Sequence, residues 1–284
     1  MKKFFYMGIA LLAMFTLPMT SCSDNDNNDE PEEVYDEIYT NDDVLGSWRL
    51  TNYMISFDDG TDEEGTYTGD SAAYYKFNSD GTCETKLYIP NKIFDKQMGN
   101  YEVTQMTTNY CAYNNAVVVN SRWDDVMAIP FIMYDDYKAM HWVYADSELL
   151  IQSVYEKLDA TPTISINPKW LYGGWKCTTV YKYNSKTNSM AETASAEEYV
   201  YFLADGEFRS MDKDGGLYVG NWKIDNETLV LSYIDLDLVT QEFTKYLTSV
   251  GSTLSFFIVA DDANLETEYR FTKVDITDLP YLMQ

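Results

Sequence analysis

Apolar and polar side chains alternate along short stretches of this chain, which is the pattern of β-strands with one buried face. Residues Ala73–Asn78 alternate in this way, Asp80-Gly81 follows, and residues Cys83–Leu87 alternate again. Two alternating runs around an Asp-Gly pair predict a β-hairpin. Further β-rich runs are Val117–Val119, Ile129–Met133, Leu229–Tyr233 and Leu254–Val259. Because no helical periodicity of useful length occurs after residue 21, the sequence predicts an all-β fold.

A pattern of residues occurs twice along the chain. Leu45–Arg49 returns as Tyr172–Lys176. Three further pairs follow in the same order, namely Tyr74–Gly81 with Tyr199–Gly206, Gly99–Tyr101 with Gly220–Trp222, and Tyr155–Asp159 with Phe271–Asp275. The offset falls from 127 residues to 116, as expected when a duplicated unit loses loop residues. The repeat predicts two tandem antiparallel β-barrels of about eight strands each, at residues 41–159 and 169–284, joined by a linker at residues 160–168.

The first 40 residues have the composition of a leader and a tether. Residues 1–21 combine two lysines, an apolar run at Phe4–Leu17 and small residues before Cys22, which is the pattern of a secretory signal. Cysteine at the cleavage point resembles a bacterial lipoprotein signal, in which the thiol is acylated. The acidic run that follows it, within a predicted flexible tether at residues 22–40, resembles the export signal of surface lipoproteins in certain Gram-negative anaerobes. We therefore expect a lipid-anchored outer-membrane protein at the cell surface; the alternative is a secreted protein with an incidental cysteine.

The charge of the chain narrows the choice of partners. The sequence holds 20 basic and 46 acidic residues, and removal of residues 1–21, with two lysines and no acids, changes the formal net charge from −26 to −28. Such a surface repels phosphate backbones and anionic headgroups, so a nucleic-acid partner is not expected. Contact with the membrane is then expected through the N-terminal acyl chains.

Both repeats begin with a Gly-x-Trp motif. Gly46-Ser47-Trp48 follows the turn Asn41–Asp43, and Gly173-Gly174-Trp175 follows Asn167-Pro168. A Gly-x-Trp at the start of the first strand resembles the lipocalins and their shorter relatives. The resemblance implies an up-and-down barrel in which the tryptophan closes one end and a basic residue of the last strand packs over it. The residues in these positions are Gly46, Trp48 and Lys157 in the first repeat and Gly173, Trp175 and either Arg270 or Lys273 in the second.

The same resemblance implies a ligand inside one or both barrels. The loop after the first strand, Asp58–Ser71 in one repeat and Asn184–Glu198 in the other, would lie over the barrel mouth. The residues expected to point inward near it are Met54, Tyr75, Tyr181 and Tyr201. A small apolar or amphipathic ligand is therefore the first expectation. The alternative is a non-enzymatic adhesion, glycan-binding or envelope-assembly protein that uses its outer surface, because 25 tyrosines could also stack on sugars.

The sequence has few residues and motifs that indicate catalysis or metal binding. The single histidine, His141, lies among apolar residues, where a core or barrel-wall role is expected. Nucleophile-elbow, phosphate-loop and dinucleotide motifs are missing, so we expect no enzyme, no metal and no cofactor. The 46 acidic residues still leave paired-carboxylate glycosidase chemistry open. The acidic side chains of the loop Asp58–Glu64 leave calcium binding as an open alternative. Cys83 and Cys111 either form a disulfide or stay reduced.

Overall fold

The computed structural model describes residues 37–106, 113–121, 126–145, 149–184, 189–193, 198–234, 238–251, 253–259 and 265–284. Apart from short 3-10 helices, the regular structure in these ranges is β-strand, which confirms the all-β prediction. None of the helical turns in the described ranges has the length and apolar character of a transmembrane segment. The leader, Cys22, the tether up to residue 36 and Cys111 lie outside the described residues.

The strands follow one another along the chain with short connections. They are β1 Gly46–Phe57, β2 Asp62–Thr66, β3 Ala72–Phe77, β4 Thr82–Ile89, β5 Ile93–Gln105, β6 Asn115–Ser121, β7 Val126–Tyr134, β8 Ala139–Ala145, β9 Leu149–Leu158, β10 Gly173–Asn184, β11 Ser189–Thr193, β12 Tyr199–Phe202, β13 Glu207–Met211, β14 Leu217–Asp225, β15 Thr228–Ile234, β16 Thr240–Val250, β17 Thr253–Val259 and β18 Leu265–Val274. The 3-10 helices are Pro168–Trp170, Ile276–Asp278 and Tyr281–Met283. The two Asp-Gly pairs lie in the β3–β4 and β12–β13 turns, where Gly81 and Gly206 have φ angles of 82° and 91° that favour glycine.

The chain forms two compact units. Among the described residues, unit 1 contains those up to Cys83, those from Gly99 to Asn120 and those from Val126 to Thr161. Unit 2 contains Glu84–Met98, Ser121 and the chain from Pro162 onward. The boundary at Thr161 and Pro162 falls inside the linker that the repeat predicts. The tip of the β4–β5 hairpin, by contrast, belongs to unit 2 although its sequence lies in the first repeat.

Unit 2 contains a closed antiparallel barrel of eight strands. β10 pairs with β12, the pairing continues in chain order to β18, and β18 returns to β10. β11 pairs with the second half of β10. Because directly paired residues point to the same face, the inner face can be followed from Trp175 to Val200, Ser210 and Tyr218. A barrel of this kind is what the resemblance to lipocalins implies.

Unit 1 has several of the same pairings. β1 pairs with β2, β3 and β9, and the strands from β6 to β9 pair in chain order. Its core is rich in aromatic rings and includes Trp48, Tyr75, Phe131, Trp142 and Tyr155.

The Gly-x-Trp motifs have the same structure in both units. Trp48 and Trp175 are fully buried, and the indole Nε1 of each donates to the carbonyl four residues earlier, at 2.7 and 2.8 Å. Lys157 Nζ lies 5.1 Å from the centroid of the Trp48 ring, and Lys273 Nζ lies 5.1 Å from that of Trp175. Of the two basic candidates in the second repeat, Arg270 lies over Tyr181 instead. In each unit the lysine ammonium group therefore lies over the face of the buried tryptophan ring, where the ring attracts a cation.

The first long strand of each unit contains a bulge. In unit 2, Cys177 pairs with Phe271 but Thr179 pairs with Arg270, so two steps along β10 match one step along β18. In unit 1, the seven steps from Leu50 to Phe57 match six steps along β9. One extra residue reverses which side chains point to which face beyond the bulge.

A four-charge cluster holds the β4–β5 hairpin within unit 2. Lys86 Nζ lies 2.9 Å from Glu84 and 2.7 Å from Glu227, and Lys96 Nζ lies 2.8 and 3.5 Å from the same two carboxylates. The hairpin also pairs with β16, Phe94 opposite Val250. Burial acts to raise the pKa of Glu84, but the two lysines outweigh it and the pKa of this carboxyl is lowered.

Candidate functional site

The inner face of the unit 2 barrel is apolar and buried at the end closed by Trp175. The fully or nearly fully buried residues of this face include Trp175, Phe202, Phe208, Trp222, Leu229, Leu247 and Phe271. These side chains fill the barrel at this end, as side chains do in other small barrels.

Exposure rises along this face on three neighbouring strands toward the opposite end. On β14 it rises from Trp222 to Tyr218, on β15 from Leu229 to Tyr233, and on β16 from Leu247 to Phe243. Tyr218 is 38% exposed and Phe243 is 41% exposed, although both point to the same side as residues that are almost completely buried. The inner face is therefore accessible to solvent at this end.

Three rings form a continuous surface there, which we call the ring surface: Tyr218, Tyr233 and Phe243. The rings of Tyr233 and Phe243 are nearly parallel, with centroids 5.6 Å apart. The ring of Tyr218 stands at 63° to that of Tyr233, with centroids 5.3 Å apart. Gly220 lies on the inner face between Tyr218 and Trp222, and a Cβ there would approach the Phe208 ring to 2.8 Å, so the position requires glycine. Tyr233 and Phe243 are therefore stacked on each other, and Tyr218 stands with its edge toward Tyr233.

A carboxylate and an ammonium group lie on the same face as the ring surface. Lys245 pairs with Leu229, and Glu198 lies two residues before Val200, so both belong to the inner face. Lys245 Nζ lies 5.8 Å from the centroid of the Phe243 ring. Burial raises the pKa of Glu198 and lowers the pKa of Lys245, and each group partly offsets this effect on the other. Both charges are half-buried and electrostatically coupled.

Further polar groups complete the surroundings of this pair. Burial, reinforced by the charge of Glu198, raises the pKa of the Tyr269 hydroxyl and raises the pKa of the Cys177 thiol to about 11. Cys177 is therefore a neutral, weakly reactive thiol at ordinary pH. At the outer edge, Tyr218 Oη donates to Asp212 Oδ2 at 3.2 Å. Hydrogen bonds from Gly216 and Asp214 lower the pKa of Asp212, so this carboxylate stays ionised.

The core of unit 1 differs from this arrangement because its rings fill the inner face. Tyr75 pairs with Trp48, and its ring lies 4.6 Å from that of Trp142 and 5.8 Å from that of Tyr155. Tyr75 is 4% exposed and Trp142 is 2% exposed. Tyr75 is thus an inner-face residue, as expected from the sequence, but it lies in the packed core.

The other three predicted ligand-binding residues do not point into a barrel core with the tryptophans. In the part of β1 between Leu50 and Phe57, where the register with β9 shifts, Tyr53 and Ile55 are buried and Met54 is only partly buried. Beyond the bulge in β10, Tyr181 shares a face with Arg270, whose guanidinium lies 5.0 Å from its ring. Tyr201 pairs with Gly174, the neighbour of Trp175, and therefore points to the outer face. The expected inward direction of these side chains is corrected by the register.

The sequence contained part of the signal for the ring surface. The repeat aligns Tyr75 with Val200 rather than with Tyr201, and Val200 is indeed the residue paired with Trp175. Tyr233 ends the alternating run Leu229–Tyr233, and Tyr218 lies an even number of residues before Trp222. These patterns indicate which residues point to the inner face of the barrel. Only the pairing of the three strands shows that the rings are in contact.

The acidic loop after β1 is partly strand. β2 pairs with β1, and Asp59 Oδ1 accepts hydrogen bonds from Thr61 N and Oγ1 at 2.9 and 2.6 Å. The second loop likewise contains β11, paired with β10. Among the described residues, no group of three or more His, Cys, Asp and Glu side chains is arranged to hold a metal ion.

His141 lies on the outer face of β8. It pairs with Ile132 and Val154, and its neighbour Trp142 points into the core of unit 1. The ring Nδ1 lies 2.8 Å from Tyr113 Oη, and burial lowers the pKa of the imidazole. His141 is therefore a mainly neutral residue of the wall of unit 1.

Comparison with known proteins finds similarity among the solved structures. No protein-family model and no curated protein matches the chain. Among solved structures, a protein of unknown function of the DUF3598 family from Nostoc punctiforme PCC 73102 is similar, with a TM-score of 0.27 and 10% identity, over 82% of this chain and 97% of that one. Similarity at this level supports no inference about function, which has to come from the residues of the site.

Proposed function

We propose that this protein binds a small amphipathic ligand at the ring surface inside the barrel of unit 2. The observation that carries the proposal is the exposure of Tyr218 and Phe243 on a face where Leu229 is completely buried. Large rings inside a small barrel normally pack into its core. Rings that stay accessible on a concave apolar surface are the usual lining of a ligand site.

The ligand has to be amphipathic because polar groups lie next to the rings. Glu198 and Lys245 are half-buried on the same inner face, and Asp212 lies at the edge of the ring surface. A few polar groups in an apolar lining fix the orientation of a ligand and supply specificity.

Substitution of two rings tests the proposal. The neutral fluorescent probe N-phenyl-1-naphthylamine should bind the purified protein, and Tyr233→Ala combined with Phe243→Ala should weaken its binding about tenfold or more, since two of the three rings of the ring surface are lost. The matched control is Tyr246→Ala, an aromatic residue of the same strand that is 45% exposed on the opposite face. A probe that fails to bind, or a control that loses as much affinity as the double variant, would contradict the proposal.

We further infer that the site belongs to a tandem lipocalin-like surface lipoprotein. The neighbour order from β3 through β4 and β5 to β6 would join the two groups of paired strands in unit 1 into a second barrel. The Gly-x-Trp motif and the lysine over its ring, present in both units, support this inference. Acylation of Cys22 would anchor the chain to the outer membrane, with the ligand site outside the cell.

A second candidate function, adhesion or assembly through the outer surface, is favoured by exposed apolar side chains beside the ring surface. Leu217, Val219 and Ile234 point outward from β14 and β15 and are 40%, 48% and 65% exposed. Leu238, in the connection between β15 and β16, is 85% exposed. Replacement of Val219 and Ile234 by serine should abolish partner binding in this case and leave the probe bound.

A further inference from the structure

An exposed apolar patch lies on the outside of unit 2, at the start of β14 and the end of β15. We call it the outer patch, and its residues are Leu217, Val219, Ile234, Leu238 and Val239. Each of them is between 40% and 85% exposed. Gly220 pairs with Tyr233, so Val219 and Ile234 lie side by side on the outer face. Side chains in such positions are about 5 Å apart, and the patch is therefore continuous across the two strands.

The outer patch interrupts the usual pattern of an outward face. After Val219, the outward residues of β14 are Asn221, Lys223 and Asp225. A sheet with one solvated face normally alternates apolar and polar residues in this way. At residues 217–219, however, three apolar side chains follow one another and all three are exposed. Folding leaves this area uncovered, and a continuous exposed apolar area of this kind marks an interaction site.

The basic groups beside the outer patch are already paired with acids. Arg209, on the neighbouring strand β13, lies 3.0 Å from Glu207, and Lys213 lies 3.5 Å from Asp214. Glu242, exposed on the outer face of β16, has no ion pair among the described residues. The local charge is therefore negative, as is the net charge of the whole sequence, −26.

A further carboxylate in the turn between β13 and β14 adds to this charge. Asp212 Oδ1 accepts hydrogen bonds from the backbone N–H groups of Gly216 and Asp214 at 2.8 and 3.0 Å. These bonds lower the pKa of Asp212 and keep it ionised. The apolar side chains of the outer patch consequently have an acidic rim.

The acidic rim distinguishes between possible partners of the outer patch. A second copy of the chain would bring the same carboxylates and the same net charge against it, and an anionic bilayer surface would be repelled as well. A protein segment whose apolar side chains stand between lysine or arginine residues complements both the patch and the rim.

We propose, on the basis of the second candidate function, that the outer patch is the docking surface for a basic protein partner that presents apolar side chains flanked by lysine or arginine. Apolar contacts with Val219 and Ile234 supply the affinity. The carboxylates beside them steer the partner and select the sign of its charge.

Binding of three synthetic peptides to the full chain tests the chemistry of this partner. The first is an amphipathic peptide of leucine and lysine, the second has glutamate in place of lysine, and the third has serine in place of leucine. We expect the leucine–lysine peptide to bind and the other two to bind at least about tenfold more weakly. The affinity for the leucine–lysine peptide should fall as salt is added, because the charges at the rim are exposed.

A double variant and its matched control locate the peptide on the molecule. Val219→Ser combined with Ile234→Ser should weaken the leucine–lysine peptide about tenfold or more, since the centre of the outer patch is lost. Val126→Ser combined with Ile276→Ser removes one valine and one isoleucine that are 65% and 49% exposed elsewhere on the chain. This control should leave the affinity within about twofold. Unchanged melting temperatures show that the variants are folded.

A charge reversal tests the acidic rim separately from the apolar side chains. Glu242→Lys should weaken the leucine–lysine peptide about threefold or more, since it replaces an attraction by a repulsion. Glu156→Lys makes the same change at an exposed position in unit 1 and should leave the affinity within about twofold. Equal effects of the two reversals would mean that only the net charge of the chain attracts the peptide, which overturns the proposed docking surface.

The remaining outcomes separate this proposal from its alternatives. Equal binding of the leucine–glutamate peptide overturns the basic class of partner and leaves the outer patch as a docking surface. Self-association, or binding to phosphatidylcholine vesicles, that is lost in Val219→Ser with Ile234→Ser assigns the patch to a second copy or to a lipid surface instead. Peptide binding that survives this double variant overturns the docking surface itself. N-phenyl-1-naphthylamine should bind the double variant as it binds the wild type, so failure of either site is seen independently of the other.

Discussion

Two aromatic residues in the core of unit 1 carry polar atoms without a hydrogen-bond partner among the described residues. They are the hydroxyl of Tyr75 and the indole nitrogen of Trp142. Burial raises the pKa of the Tyr75 hydroxyl far above its ordinary value, so this group is neutral at any physiological pH. A buried, unpaired hydroxyl opposes folding, because its hydrogen bonds to water are lost on folding and are not replaced.

Removal of this hydroxyl should therefore not cost stability. We expect Tyr75→Phe to leave the free energy of unfolding unchanged or to raise it by up to about 1 kcal/mol. Tyr101→Phe is the matched comparison, since Tyr101 Oη donates to the Asn78 carbonyl at 3.0 Å, and it should cost about 1 kcal/mol. Urea unfolding of both variants measures the difference. A loss of 1 kcal/mol or more in Tyr75→Phe would mean that its hydroxyl binds a partner such as an internal water.

At the scale of the element, the β4–β5 hairpin depends on its charges. Lys86 is only 7% exposed and lies between Glu84 and Glu227, which belongs to the turn between β14 and β15. Removal of one member of a buried ion cluster leaves the others desolvated and uncompensated.

We expect Lys86→Met to destabilise unit 2 by about 3 kcal/mol at pH 7. The pKa of Glu84 is lowered in the folded state, so its contribution is present above its unfolded pKa and is lost as the pH falls through the folded pKa. The cost of Lys86→Met should therefore shrink in strongly acidic solution. Lys213→Met removes the exposed pair with Asp214 and should have no measurable effect. Unfolding measured from pH 7 to acid would contradict the prediction if the two variants behaved alike.

The two bulges explain why site residues were harder to predict than strands. Alternation gave the strands and the inward direction of Trp48, Trp175 and Tyr75, because these lie before any irregularity in their strands. Met54 lies in the part of β1 where the register shifts, and Tyr181 lies beyond the bulge of β10. A bulge reverses the face of the residues that follow it and has no reliable signature in the local sequence. The face of a residue can therefore not be predicted from its position in the alternating pattern once the register has shifted.

At the scale of the whole molecule, the repeat in the sequence and the compact units in space are not the same division. The boundary between the duplicated segments lies in the linker at residues 160–168, and one boundary between the units, at Thr161 and Pro162, lies there too. Residues 84–98 lie within the first repeat of the sequence but belong to unit 2 in space. A unit 2 taken from the second repeat alone would therefore lack the partners of Glu227.

Attachment of the whole protein to the membrane rests in our proposal on a single residue. Replacement of Cys22 by alanine should move the protein from the membrane fraction to the soluble fraction, because the acyl chains are attached to its thiol. Added protease should degrade the wild-type protein on intact cells if the site faces outward. A Cys22→Ala protein that remains in the membrane fraction would contradict the lipid anchor.

The sequence by itself determined the all-β fold, the Gly-x-Trp motif at the start of each repeat, and the hairpins around Asp80-Gly81 and Asp205-Gly206. These features follow from the local alternation of apolar and polar residues and from the turn preference of Asp-Gly pairs. The tertiary structure alone decided that Tyr218, Tyr233 and Phe243 meet on one accessible surface, with Lys245 over the ring of Phe243. Those residues come from separate strands, and their position depends on strand pairing and on how far the core fills the barrel. Neither property is encoded in any one stretch of the chain, because both arise from contacts between distant residues.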